Sequence, residues 1–207
     1  MTIVKLTARE VPIERARLWL DGLSPLTRES KALRRLGLLC CKRILSGRGL
    51  RGSGGSAQLR LPTTTEFVTG GRGKTLAVCR SISLASIRAR RMDPNRQAAW
   101  SETFGSVALS YARAGDPSTT AALLRASAQL GLKHQWLVEA ERFLLDQQTP
   151  EGCFGLFARE LQMIDSDEPP WMPYLEFSVE VLWALAEVTA LQAGQERGNG
   201  DRIDKSV

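Results

Sequence analysis

Three carboxylates in one short stretch are the residues of this chain whose types and spacing are best suited to chemistry. Asp165, Asp167 and Glu168 stand together just before Pro169 and Pro170. Carboxylates at this spacing in a loop can chelate a hard cation such as Mg²⁺, or one of them can donate a proton to a substrate. Short acidic runs before prolines are also common as solvated loops. We interpret the stretch as a solvated loop and keep metal or acid chemistry as the alternative.

The chain has one histidine and four cysteines, which narrows the other catalytic chemistries. Cys40, Cys41, Cys79 and Cys153 form no C-x-x-C pair, whereas a zinc site needs four converging ligands that usually occur at short paired spacings. His134 is the single histidine, which leaves little room for Ser-His-Asp or Cys-His catalysis. We predict a surface or helix-capping role for His134, reduced thiols, and neither a metal nor a cofactor.

A glycine-rich, basic stretch has features of two kinds of binding site, one for a nucleotide phosphate and one for nucleic acid. Residues 70–75 read Gly-Gly-Arg-Gly-Lys-Thr, but the first glycine that a phosphate-binding loop requires would fall at Val68. We therefore interpret 70–75 as part of a basic loop. From Lys31 to Arg91 there are 14 basic residues and one acidic residue, which can contact phosphates without sequence specificity. Only Phe67 in this stretch can stack on a base, so non-specific nucleic-acid contact is an alternative to the main prediction.

Charge is distributed unevenly over the 207 residues. Residues 1–100 carry 20 Lys and Arg against 6 Asp and Glu, whereas residues 101–207 carry 8 against 16. The two halves can attract each other within one chain or between copies, so we predict a protein partner or a homo-oligomer. No run of 18 apolar residues and no long apolar leader occurs, which predicts a cytoplasmic protein without a membrane span.

The elements that position these residues are helices, because apolar residues recur at helical spacing in six segments. Ser24 and Pro25 are typical of an N-cap and a first-turn proline at the start of the second segment. The tryptophans at helical spacing are predicted to be core, with the lining of a ligand cavity as the alternative. We predict an all-α fold of antiparallel helical hairpins. The predicted helices are about 10–21, 26–45, 95–114, 117–130, 134–148 and 174–192.

One turn has an informative sequence. An amphipathic helix ends near Gln147, and Pro150 cannot continue it. Gly152 permits a positive φ in the turn, and Phe154 is predicted to fold back as an aromatic plug. A glutamine beside such a turn can bond to backbone groups that the helix end leaves unpaired.

This turn resembles the glutamine-and-aromatic turn of α/α-toroid proteins, which include terpenoid cyclases and protein prenyltransferase β-subunits. Phe143, Gln147, Gly152 and Phe154 occupy the positions of that motif, with Phe154 in place of the customary tryptophan. One copy occurs here rather than several. The resemblance covers about residues 136–193 and implies a partial α/α-toroid-like bundle.

The chain is also similar, at both ends, to a group of bacterial helical proteins of unknown function. The helix pair from Trp19 to Cys40 carries the likeness at one end, and the turn together with Leu182 to Glu187 carries it at the other. Members of that group tend to be longer and have a central polar motif. Here the basic residues 46–91 stand in its place, which implies a shortened or rearranged member.

Functions of two classes stay open on the sequence. The lone histidine and the single copy of the turn favour a non-catalytic helical interaction or accessory protein. The alternative implied by the resemblance is a terpenoid-cyclase-like enzyme or small-ligand binder, in which Asp165, Asp167 and Glu168 face a helix-lined cavity. The predicted organisation is a helical pair at 1–45, a basic flexible segment at 46–94, helical hairpins at 95–193 and a polar tail at 194–207.

Overall fold

A computed structural model describes residues 9–25, 27–46, 94–155 and 171–203, and within these ranges the chain is helical without a β-strand. The all-α prediction is therefore confirmed. Most of the predicted segment 46–94 lies outside the described residues. The helices are α1 (Glu10–Gly22), α2 (Arg28–Ser46), α3 (Pro94–Arg113), α4 (Pro117–Leu130), α5 (Gln135–Asp146) and α6 (Met172–Ile203).

Helix α4 begins and ends where its sequence predicts. The Asp116 carboxylate accepts hydrogen bonds from the backbone N–H of Thr119 at 3.0 Å and from the hydroxyl of Thr119 at 2.9 Å. Pro117 occupies the first turn, where its missing N–H costs nothing. The helix ends at Gly131, whose N–H bonds back to the carbonyls of the last turn.

Helix α2 starts later than predicted, because a different pair of side chains caps it. The Thr27 hydroxyl accepts from the Ser30 N–H at 3.0 Å, and the Ser30 hydroxyl accepts from the Thr27 N–H at 3.1 Å. This reciprocal arrangement satisfies donors that the first helical turn leaves unpaired. The helix start predicted from Ser24 and Pro25 is therefore wrong by two residues.

Helix α6 is longer than its apolar stripe. It continues to Ile203, into the part of the chain predicted to be a polar tail. Consecutive residues from Leu182 to Ala186 are all buried. No helix in the described ranges is both long and apolar enough to cross a membrane.

The described helices share one hydrophobic core. Helix α6 lies at the centre and packs against α2 and α4, while α1 packs on α2, and α3, α4 and α5 pack on one another. The core is continuous from the first two helices to the last, so the two predicted helical regions are joined by packing. The toroid-like arrangement stays a prediction. The largest fully buried side chains of the core include Ile13, Leu20, Cys40, Leu144, Phe154, Leu175, Leu182 and Leu185.

Candidate functional site

The turn after α5, residues 147–155, brings three helices together. Phe154 is fully buried, and its backbone N–H donates to the Ser178 hydroxyl of α6 at 2.9 Å. Gly152 has a φ of 103°, and a Cβ at this position would lie 2.5 Å from the Arg15 carbonyl oxygen of α1. Only glycine tolerates both this φ and this approach, so Gly152 allows the turn to pack against α1. The hydrogen bond from Phe154 to Ser178 holds the turn to α6.

The two glutamines of the turn have different roles. The Gln147 amide donates to the Phe143 carbonyl at 3.3 Å, which satisfies an acceptor at the end of α5. The Gln148 amide donates to the Pro12 carbonyl of α1 at 2.6 Å and to the Gly152 carbonyl at 2.9 Å. The long-range bridge is therefore made by Gln148, whereas the resemblance singles out its neighbour.

Two basic side chains, one on α2 and one on α1, have hydrogen-bond or ion-pair partners on α1. The Arg34 guanidinium donates to the carbonyls of Leu20 at 2.6 Å and Asp21 at 3.0 Å, at the end of α1. Arg17 forms ion pairs with Glu14 at 2.6 Å and with Asp21 at 2.7 Å. The Arg34 bonds hold α2 to α1, whereas the Arg17 ion pairs lie within α1.

The outer face of α2 carries a second set of basic residues, here named the basic stripe: Arg28, Lys31, Arg35 and Lys42. All four side chains are exposed. Their spacing places them along one line of the helix, which extends about 21 Å at 1.5 Å per residue. None of them forms an ion pair with another described residue, in contrast to the basic residues that face α1.

A buried arginine lies where α4 meets α6. Arg125 is 3% exposed, and its guanidinium carbon lies 4.3 Å from the ring centre of Trp183. Its Nη1 atom is 3.5 Å from the Glu180 carboxylate, and the Trp183 indole N–H donates to Glu187 at 3.2 Å. The ring and the Glu180 carboxylate stabilise a charge that would otherwise be costly to bury.

Buried thiols lie on α2 and in the turn. Burial raises the pKa of Cys40 to about 12 and also raises the pKa values of Cys41 and Cys153. The Cys153 sulfur lies 3.1 Å from the Thr149 hydroxyl. Thiols that stay protonated at neutral pH are poor nucleophiles, so these three fit a packing role.

A cavity of about 330 Å³ opens between α4, α5 and α6, and we name it the α4–α5–α6 cavity. Its walls are mainly apolar. Polar side chains in its lining come from the start and the middle of α5, from α4 and from α6. Its lining includes Leu124, Ala128, His134, Val138, Glu141 and Gln192.

Glu141 and Gln192, which line this cavity, both contact Arg9. Arg9, just before α1, lies with Nη2 at 2.7 Å from Glu141 Oε1 and donates from Nη1 to Gln192 Oε1 at 2.6 Å. Glu141 is buried, and its burial raises the pKa of the carboxyl group while the Arg9 charge opposes the shift. The Nε and Nη2 atoms of Arg9 are buried and have no well-aligned hydrogen-bond partner among the described residues.

His134 stands at the rim of the same cavity and caps α5. Its Nδ1 accepts from the Trp136 N–H at 3.3 Å, and the two rings lie 4.4 Å apart. A Cβ on Gly105 of α3 would be 3.1 Å from Nδ1, so that glycine leaves space for the imidazole ring. The capping role predicted for His134 is confirmed.

The acidic residues predicted as weak site candidates have no described position. Asp165, Asp167 and Glu168 lie outside the described residues, so the acid or metal hypothesis stays a prediction. In the described ranges, no three His, Cys, Asp or Glu side chains are placed to hold a metal ion. Trp183 belongs to the core as predicted, and the α4–α5–α6 cavity has no tryptophan in its lining.

Sequence reasoning missed Arg125 and the Arg9–Glu141 pair. A single arginine among the small apolar residues of α4 was a usable signal, since such a position faces neighbours on most sides. Nothing in the local pattern around Arg9 or Glu141 indicates that they meet, because they are separated by more than a hundred residues.

Comparison of the chain with models of protein families, with curated proteins and with solved structures finds no match. The resemblances to the α/α-toroid proteins and to the bacterial helical group therefore rest on the sequence patterns alone.

Proposed function

We propose that this chain is a non-catalytic helical interaction protein, and that it binds an acidic partner protein through the basic stripe on α2. The observation that carries the proposal is that some basic side chains of α1 and α2 have partners on α1, whereas those of the basic stripe have none among the described residues. Arg17 and Arg34 are engaged by neighbouring acceptors, whereas the basic stripe is exposed and has no ion pair with described residues. A line of unpaired positive charge attracts and orients an acidic surface.

The chemistry of the stripe favours a protein over a nucleic acid. No aromatic side chain lies among its members, so it lacks the aromatic platform on which the bases of a single strand stack. Half-buried Leu38 and Leu39 lie beside the charges and supply apolar area of the kind found in protein interfaces. The acidic half of a second copy of this chain is one surface of suitable charge.

Binding of a fluorescein-labelled oligoglutamate peptide, followed by fluorescence anisotropy, tests the proposal on the full chain. The test variant is Lys31→Gln/Arg35→Gln. The matched control is Arg15→Gln/Arg142→Gln, which removes the same charge from exposed positions on α1 and α5. We expect the test variant to lose about tenfold in affinity, equivalent to ~1.4 kcal/mol, and the control to change by less than twofold.

Three results would count against the proposal. Equal losses in both variants would show that net charge alone attracts the peptide. An unchanged affinity in the test variant would remove the stripe from the interface. An oligothymidylate that binds more tightly than oligoglutamate, with a loss in the same variant, would assign the stripe to nucleic acid instead.

A further inference from the structure

We infer that the basic stripe on α2 binds the outer side of α5 in a second copy of this chain, so that copies join head to tail. The inference rests on the proposed function, because it names the acidic partner of the same stripe. Three observations carry it. Both surfaces carry available charge, opposite charges have the same spacing on the two helices, and an apolar side chain lies at the same position between them.

The outer side of α5, here named the α5 face, consists of Glu139, Phe143 and Asp146. Both carboxylates are exposed. Glu139 forms no ion pair within the part of the chain that the structure describes. Asp146 lies 4.0 Å from Arg142, and the two side chains are 69% and 85% exposed. Such a hydrated surface pair contributes little, so both carboxylates are available to a partner.

Charges of opposite sign have the same spacing on the two helices. Arg35 and Lys42 of the basic stripe are seven residues apart, as are Glu139 and Asp146 of the α5 face. Seven residues make about two helical turns, so each pair spans about 10.5 Å along one side of its helix. When the two helices pack side by side, both ion pairs therefore form together, in either relative direction of the helices. This match gives the contact its register.

An apolar side chain lies between the charges on each helix. Leu39 follows Arg35 by four residues, which places it beside the line of the basic stripe. Phe143 follows Glu139 by the same four residues. Leu39 and Phe143 are both half-buried in the single chain. Contact between them would remove further apolar area from water, and the surrounding charges would form the polar rim of the interface.

The contact joins two different surfaces of the chain. Helix α2 packs on α1 and α6, whereas α5 packs on α3 and α4. A contact between unlike surfaces is heterologous, so each pair of copies leaves one free basic stripe and one free α5 face. Further copies can add at both, which produces open chains or closed rings rather than a dimer alone.

Sedimentation velocity of the full chain at increasing protein concentration tests the inference. At low salt, we expect the mean mass to rise above that of two chains. Arg35→Glu/Lys42→Glu and Glu139→Lys/Asp146→Lys should each sediment as one chain at the same concentrations. All four residues are exposed, so these variants should keep the fold.

A mixture of the two variants provides the decisive result. Every face in the mixture meets one of opposite charge, so mixing should restore the assembly that each variant has lost. The matched control is Arg15→Glu/Arg113→Glu, which reverses two exposed charges on α1 and α3 and should assemble as wild type does. Salt at about 1 M, where the Debye length is about 3 Å, should dissociate the wild-type assembly.

Four results would overturn the inference: a wild-type chain that sediments as one chain throughout, assembly that survives either reversal, a mixture that stays unassembled, or an equal loss in the control. Each is distinguishable from failure of the proposed function, which is measured separately with oligoglutamate. A chain that does not self-associate but binds oligoglutamate through the basic stripe would assign the stripe to a different acidic protein.

Discussion

The backbone N–H of Phe154 donates to the Ser178 hydroxyl at 2.9 Å, and both residues are fully buried. Phe154 lies in a turn, where the N–H has no helical carbonyl to bond. A buried N–H without an acceptor is costly, so the hydroxyl on α6 supplies what regular structure would supply elsewhere. The aromatic plug is thus fixed at two points, by packing of its ring and by its backbone.

Ser178→Ala should lower the free energy of unfolding by about 1–3 kcal/mol, because it leaves the Phe154 N–H buried and unpaired. Urea denaturation measures the change, and Ser106→Ala on the exposed surface of α3 is the control, with an expected effect within ±0.5 kcal/mol. If the two variants were equally stable, the hydrogen bond to Ser178 would contribute nothing to docking of the turn.

Gly152→Ala should destabilise the chain by at least about 2 kcal/mol, because a φ of 103° is strained for alanine and its Cβ would meet the Arg15 carbonyl oxygen. Gly22→Ala is the matched control at the end of α1, where an added Cβ would meet nothing within 4 Å. It should be neutral or stabilise by up to ~1 kcal/mol through helix propensity. Similar midpoints for the two variants in thermal unfolding would contradict the close approach of the turn to α1.

Local patterns predict the helices well where the cap and the apolar stripe agree. Helix α4 has Asp116 and Pro117 at one end and Gly131 at the other, and its bounds match the expectation. Helix α2 has two plausible caps, Ser24 and Thr27. The reciprocal bonds between Thr27 and Ser30 decide between them, and such reciprocity is visible only in three dimensions.

Tertiary partners are what the sequence could not supply. Gln147 and Gln148 have the same side chain and adjacent positions, so the pattern of the turn cannot say which one reaches α1. The choice follows from the direction in which the chain leaves α5, which places the Gln148 amide at the Pro12 carbonyl. The Arg9–Glu141 pair and the α4–α5–α6 cavity could not be predicted for the same reason, because packing of distant segments creates them.

The thiols of Cys40 and Cys41 should resist alkylation in the folded chain. With the pKa of Cys40 at about 12, only on the order of 10⁻⁴ of it is thiolate at pH 8. Iodoacetamide labelling followed by mass spectrometry should therefore modify neither residue until the chain is unfolded. Rapid labelling of either thiol in the native state would show that α2 is not packed as described.

The same raised pKa values predict a stability that depends on pH. An unfolded thiol ionises near its ordinary pKa, whereas the folded thiols stay neutral, so unfolding releases protons above that pH. The stability that Cys40 contributes is therefore fully present below the pKa of the unfolded thiol. It is lost as the pH rises toward about 12, by up to ~1.4 kcal/mol per pH unit. The difference in stability between wild type and Cys40→Ala should shrink over this window, and a constant difference would contradict the burial of the thiol.

Arg125 tests whether its charge or its volume holds α4 against α6. Arg125→Met preserves much of the volume over Trp183 and leaves Glu180, which is one-third exposed, to water. Because replacing a buried charge by an apolar group of similar size is often neutral, we expect a change within about 1.5 kcal/mol. Arg125→Ala removes the packing as well and should cost about 2–5 kcal/mol. If Arg125→Met cost as much as Arg125→Ala in urea denaturation, the cation over the indole ring would itself be the stabilising interaction.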